Sequence, residues 1–343
     1  MPRPTAYAQP VSPGPERTPD GADRMTEDPI LGPGWISERI DLGADEEGPL
    51  HATLVHRRAA EGAPDRAPIL VMHGWSDYVF DRELLNTLVS DGHPAWALDL
   101  RKYGRSLRPG QTPTAIHDLR EYDAEIDAAL DRIGRDTPPI ILAHSTGGLT
   151  ASLYAQRYPG AVRGLALNSP WLEMHLGSAV RRLLTGPVCR LAARRGARLL
   201  LPQGSTHYAR TTHREHGGRF EYDLELKPPG GHPFPACTLA AVLRAQDQLR
   251  RGPALDIPIL VLCSTRSRIG PVFTESMRRA DAVLDVHSLR RAARRLGEDV
   301  QISAIDGARH DVFLSDADAR AAAMRTLRTW LTELGEHPST MEP

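Results

Sequence analysis

Ser145, His310 and the aspartates Asp281 and Asp285 are the residues whose types and order in this chain suit covalent catalysis. Ser145 stands in Pro138-Pro-Ile-Ile-Leu-Ala-His-Ser-Thr-Gly-Gly-Leu-Thr150, where an apolar run ends in a small-residue turn and helix-forming residues follow. This reads as a strand, an abrupt turn and a helix, with the serine at the apex. Such a turn strains its apex residue and leaves little room beside it, so small residues are needed two before and two after. Ala143 and Gly147 supply them. The hydroxyl is then exposed near the positive end of the following helix. The pattern is a nucleophile elbow with alanine in place of the first glycine.

A serine hydroxyl attacks poorly near neutral pH unless a base takes its proton, and the base needs a carboxylate to hold its tautomer. Most of the fourteen histidines read as ordinary loop side chains, but His310 follows the last strand in Asp306-Gly-Ala-Arg-His310, where it can reach back over Ser145. The acid is expected shortly after strand 259–263, yet Ser264-Thr-Arg-Ser-Arg-Ile-Gly270 contains no carboxylate. Asp281-Ala-Val-Leu-Asp285 is followed by a helix (288–296) and the last strand (300–305), so the dozen residues before it read as an insertion. Asp281 is preferred, with Asp285 as the alternative acid; the loser is expected to cap the helix or lie on the surface. Charge developing on a carbonyl oxygen needs backbone N–H donors. Thr146, directly after the serine, and Trp75, in the loop after strand 69–72, are the candidates for an oxyanion hole.

The elements that must position these groups alternate along the chain. Segments 36–42 and 51–56 read as an edge hairpin, and 68–72 as a strand buried on both faces. Further strands are expected at 95–98, 140–143, 162–167, 258–263 and 300–305, with helices at 84–89, 119–133, after the elbow, and from 317 to 334. Such alternation implies crossover units and a mostly parallel sheet. It stops between 172 and 252, where an apolar, Arg-rich stretch (180–201), a loop with several histidines and a helix (238–250) intervene. An insertion at the carboxyl edge of a parallel sheet lies over the ligand site, so 172–252 is expected to be a cap. Residues 1–34, rich in proline, glycine and charge, are expected to be disordered, as is 335–343. Met25 offers an alternative translation start.

Composition narrows the function classes. In 343 residues, 41% hydrophobic and 25% charged with a formal net charge of −1, there is no basic field for nucleic acid. No apolar run is long enough for a membrane span or a signal-peptide core. Cys189, Cys237 and Cys263 form neither a disulfide framework nor a Cys-x-x-Cys pair, which fits a reducing cytoplasm. His207, His213, His216 and His232 are irregularly spaced, and no dinucleotide or phosphate-loop fingerprint occurs, so neither metal nor cofactor is expected.

Together, His73-Gly-Trp-Ser-Asp-Tyr78, Asp99-Leu-Arg-Lys-Tyr-Gly-Arg-Ser106, Ala143-His-Ser-Thr-Gly-Gly148, Asn168-Ser-Pro-Trp171, Asp281-Ala-Val-Leu-Asp285 and Gly307-Ala-Arg-His310 resemble the α/β-hydrolase superfamily. More narrowly, they look like its serine aminopeptidase, monoacylglycerol lipase and lysophospholipase branch, in the order Ser, Asp, His, over about residues 36–334. The resemblance implies an α/β-hydrolase fold: a mostly parallel eight-stranded core (35–171 and 253–334) under a mainly helical cap (172–252). It also implies hydrolysis through an acyl-enzyme. The departures are the acid absent from its short loop and Ala143 for glycine.

The leading expectation is a serine carboxylic-ester hydrolase acting on an acyl ester or lipid. Alternatives are an acyltransferase, a thioesterase-cyclase or a peptidase, and, differing in class, a non-catalytic binding protein. The cap arginines read as a solvated face, with weak contact to an anionic lipid surface as the other reading.

Overall fold

The computed structural model describes residues 25–59, 66–174, 186–187, 199–201 and 203–336. Among these, a nine-stranded sheet organises the chain, in the spatial order β1-β2-β3-β5-β4-β6-β7-β10-β11. The hairpin β2 (Ile36–Asp45) and β3 (Gly48–Arg57) is antiparallel, as the two alternating segments predict. From β5 (Ala95–Asp99) onward all pairs are parallel: β4 (Ile69–Met72), β6 (Ile140–His144), β7 (Gly164–Asn168), β10 (Ile259–Ser264) and β11 (Val300–Ile305). The parallel strands read as continuous apolar runs because both faces are covered. In β4, Leu70 and Met72 enter one core while Ile69 and Val71 enter the other. Helices α1 (Arg82–Ser90) and α7 (Ala317–Glu336) cover the second face through Leu85, Leu88, Ala323 and Leu327. On the first face lie α2 (Asp123–Ile133), α3 (Thr146–Arg157) and α6 (Val286–Ala293). The chain runs from β4 to β5 on one side and then places β6 on the other. The order therefore reverses between β4 and β6, where parallel sheets open a crevice at their carboxyl ends.

Three expectations need correction. The sheet has nine strands rather than eight; the extra one, β1 (Thr26–Glu27), pairs with β2. It comes from the segment assigned to disorder, and residues 25–34 are instead tied into the fold. Leu31 is buried, and Asp28 caps the turn by accepting from the Leu31 N–H at 2.6 Å. Asp28 also takes a bidentate pair from Arg105 (2.7 and 2.9 Å), whose remaining nitrogen reaches Asp99 at 2.8 Å. Finally, α5 (Ala236–Arg251), counted in the cap, packs Ala241, Val242, Ala245 and Leu249 into the same core as α3. By these contacts it belongs to the sheet layers, and the segment over the site ends near residue 235. There β8 (Leu200–Leu201) pairs with β9 (Phe234–Pro235), and a short helix, α4 (His207–Thr212), lies between them. The Arg-rich stretch, Cys189 and the tail from 337 fall largely or wholly outside the described residues. No helix among the described residues is long and apolar enough to cross a membrane.

Removing Asp28 takes away one of the two carboxylates that compensate the buried Arg105 charge and the acceptor of the Ile30 and Leu31 N–H groups. Asp28→Ala is expected to destabilise the fold by about 3 kcal/mol, read as a lower urea midpoint at unchanged m-value.

Candidate active site

The β6–α3 junction places Ser145. Its backbone stands at φ 52°, ψ −115°, a conformation that non-glycine residues rarely adopt. Neighbouring strands hold that strain: Ser145 N–H donates to the Asn168 carbonyl and its own carbonyl accepts from Trp171 N–H, both at 3.0 Å. The need for Gly147 is steric, since a Cβ there would sit 2.3 Å from the His73 carbonyl oxygen. At Gly74 a Cβ would meet the Ser145 Cβ at 3.0 Å, so the two loops approach almost to contact.

His310 is brought to Ser145 by the turn after β11. Its Nε2 lies 3.1 Å from Ser145 Oγ and its Nδ1 lies 3.0 Å from Asp281 Oδ2. Asp281 is fully buried, and its second oxygen accepts from the Val283 and Leu284 N–H groups, each at 2.8 Å. Asp285 instead caps α6, accepting from Ser288 N–H at 3.0 Å and Ser288 Oγ at 2.7 Å. The structure thus brings Ser145, His310 and Asp281 together and leaves Asp285 outside. The distance in sequence between β10 and Asp281 closes in space. Arg268 N–H donates to the Asp281 carbonyl (2.8 Å) and Asp281 N–H to the Arg266 carbonyl (3.0 Å). This bridge pinches off the excursion, so Asp281 stands where a residue just past the strand would.

Thr146 directly follows the serine, and Trp75 follows Gly74, whose loop approaches Ser145. Among the described residues neither backbone N–H has an acceptor, which leaves both free for a developing oxyanion. The Trp75 side chain is fixed by Nε1 donating to Thr114 Oγ1 at 3.1 Å. A cavity of about 350 Å³ opens onto Ser145 and His310, with Trp75, Trp171, Phe234 and Leu284 on its apolar side.

Several residues of the site carry no individual assignment from sequence. Asn168 donates from Nδ2 to Asp311 at 2.7 Å and accepts from Val312 N–H at 3.1 Å, which anchors the chain just after His310. Arg309 is buried and donates to the Leu314 carbonyl (2.7 Å) and to Asp316 (2.7 Å), fixing the other side of the same turn. Lys227 and Asp77 also line the cavity, paired at 2.7 Å. The Asn168-Ser-Pro-Trp motif was a visible signal for the first of these; nothing in the sequence pairs Lys227 with Asp77.

A sheet that reverses between β4 and β6, with the strained serine at its carboxyl edge and His310 reaching over from β11, defines an α/β-hydrolase. Residues 62–318 match the family model described as Serine aminopeptidase, S33, and the chain belongs to that family. It is 34% identical over 109 residues to the (Lyso)-N-acylphosphatidylethanolamine lipase of Mus musculus, a match covering 31% of this chain and 31% of that protein. The chain thus spans only about a third of the length of this curated relative. The monoacylglycerol lipase of Mycolicibacterium smegmatis is 26% identical over 267 residues, covering 73% of this chain and 84% of that protein. Among solved structures, a soluble variant of Saccharomyces cerevisiae monoglyceride lipase superposes with a TM-score of 0.64 at 13% identity, covering 94% and 99% of the two chains. That likeness concerns the fold.

The cap role of Asp285 is separable from the site. Asp285→Ala is expected to lose about 1 kcal/mol of stability in denaturant titration, while the rate of fluorophosphonate labelling at Ser145 stays that of the wild type.

Proposed function

We propose that the protein is a serine hydrolase that cleaves carboxylic esters of acyl or lipid type through an acyl-enzyme. The observation that carries this reading is the continuous contact Asp281–His310–Ser145, at 3.0 and 3.1 Å, opening on a cavity. Family membership and the lipase relatives support the same class.

In the proposed cycle His310 Nε2 takes the Ser145 proton as Oγ attacks the ester carbonyl. The carbonyl π pair moves to oxygen, where the N–H groups of Thr146 and Trp75 receive it. Asp281 keeps Nδ1 protonated and stabilises the imidazolium. Collapse breaks the ester C–O bond, and the leaving alkoxide carries away the proton from Nε2. Water then repeats the attack on the acyl-enzyme and frees the acid. The apolar wall of Trp75, Trp171, Phe234 and Leu284 suits the acyl group. Cys237 and Cys263 are buried and unpaired, which agrees with a reducing compartment.

The test is fluorophosphonate labelling combined with turnover of short-chain nitrophenyl esters. Wild type is expected to label and to release free acid, with little transfer to added glycerol; Ser145→Ala is expected to do neither. Asp281→Asn should lower the acylation rate by roughly 10³ to 10⁴ through the wrong histidine tautomer. Labelling of Ser145→Ala at the wild-type rate would sink the reading.

A further inference from the structure

Residues 222–234 of the inserted segment form a strap over the site, and its polar contacts converge on one short stretch of core. Ser76, Asp77 and Tyr78 directly follow Trp75, and each holds the strap. Ser76 Oγ accepts from the His232 backbone N–H at 2.8 Å and pairs with His232 Nδ1 at 2.8 Å. Tyr78 Oη accepts from Asp223 N–H at 2.7 Å, and Asp77 Oδ1 accepts from Lys227 Nζ at 2.7 Å. The indole of Trp75 stacks on Phe234, with ring centroids 4.4 Å apart. Ser76 has φ +51°, a left-handed conformation disfavoured without glycine by about 1 kcal/mol or more, so this loop needs outside contacts to keep its shape.

Lys227 differs from the other anchors because it brings a charge. Lys227 and Asp77 are both buried, and the rings of Phe80, Tyr222 and Tyr208 surround the ammonium at 4.9, 5.1 and 5.6 Å. Burying such a pair is seldom a net gain over apolar residues of the same size, so stability alone is a weak account of it. Its location supplies another. Asp77 stands two residues after Trp75, and its Oδ2 is 3.4 Å from His144 Nδ1; the His144 ring in turn is 4.9 Å from that of His310. Without a counter-charge, an Asp77 carboxylate would oppose negative charge growing on the substrate oxygen.

We propose that Lys227 is a positioning residue for the reaction. Reaching from the inserted segment, it neutralises Asp77 and, with His232 and Asp223, clamps the 75–78 loop in the turn that aims the Trp75 N–H at the oxyanion. The segment thereby completes the oxyanion hole as well as covering the cavity. This rests on the ester-hydrolase reading above.

The clamp is permanent across the neutral range. Burial pushes the Asp77 carboxyl up, but the Lys227 ammonium and then His144 outweigh it and hold it well below the usual carboxylate range. Burial likewise pulls Lys227 down, and Asp77 outweighs that to raise it. The stability linked to Asp77 is thus present above about pH 4 and lost as pH falls through its lowered value. That linked to Lys227 is present below about pH 10 and lost as pH rises through its raised value.

The experiment compares Lys227→Met, Ser76→Ala and the double variant Asp77→Asn/Lys227→Gln, which keeps a hydrogen-bonded pair without charge. Rates on nitrophenyl butyrate are taken per fluorophosphonate-titrated site. Lys227→Met is expected to lower kcat by roughly 10- to 100-fold, with KM within about two-fold of wild type. Ser76→Ala is expected to lower kcat about five-fold at similar KM, and the double variant to return within about three-fold of wild type. A Lys227→Met protein with wild-type kcat per site, whatever its melting temperature, overturns the proposal; so does a double variant as slow as the single. Where Lys227→Met does not fold, wild-type kcat in Ser76→Ala overturns it equally. Wild-type protein that neither labels nor turns over removes the ester-hydrolase reading and this one together, whereas an active wild type with unaffected variants removes this one alone.

Discussion

One strained residue sets the terms for everything around it. Ser145 can hold φ 52°, ψ −115° only because β6 is paired on both sides and because its N–H and carbonyl are both engaged by the 168–171 segment. Strain of this kind persists only where the surroundings over-determine it. The requirement spreads outward. Gly147 must lack a Cβ because the His73 carbonyl lies against it, and a Cβ at Gly74 would crowd that of Ser145. Both constraints exist because the β4 loop is drawn almost to contact with the elbow, and in the proposed mechanism that closeness brings the Trp75 N–H beside that of Thr146. On that reading, the steric tightness of the turn and the convergence of the two donors have one cause.

The far side of the site solves a different problem. A histidine after the last strand and an acid after the preceding one must meet over a serine that neither adjoins in sequence. Between β10 and the acid this chain carries an excursion that would misplace the carboxylate if it ran freely. The backbone pairing of Arg266 and Arg268 with Asp281 closes the excursion at its base, and Ser267 Oγ, donating to the Leu284 carbonyl at 2.8 Å, fixes the next turn of chain. Insertion length then costs little, because the ends of the loop are held together whatever lies between.

The features that could be read from sequence divide along the same physical line. The elbow was legible because its constraints act between neighbours: an apolar run, a small-residue turn and a helix are written consecutively. His310 was legible because the end of a strand is a place. Asp281 was legible only through its downstream neighbours, a helix and then β11, since the bridge to Ser267 leaves no periodic trace. Residues 25–34 were misread because proline and glycine composition hid two anchors, Asp28 and Leu31, whose partners lie far along the chain. Helix α5 was misassigned for a related reason. Its amphipathic pattern says that one face is buried, and only the tertiary structure says that α3, rather than the cavity, receives it. The pairing of Lys227 with Asp77 spans 150 residues and has no local signature at all.

Partners, rather than residue type, decide what each carboxylate near the site can do. Asp311 is held by Asn168 and by its own turn, accepting from Phe313 N–H at 2.9 Å. Asp285 spends its oxygens on the start of α6, and Asp77 on Lys227 and the Tyr78 N–H. Asp77 also faces a histidine ring, that of His144, but Lys227 holds its other oxygen, whereas Asp281 gives one oxygen to backbone N–H groups and the other to His310. Two N–H donors hold the first oxygen without supplying a competing cation, which in the proposed mechanism leaves the carboxylate to act on His310. A lysine beside Asp281 would cancel that action, whereas in the role proposed for Lys227 the same charge beside Asp77 removes one that would work against the oxyanion. On that reading the site depends as much on which aspartates are neutralised as on which one is not.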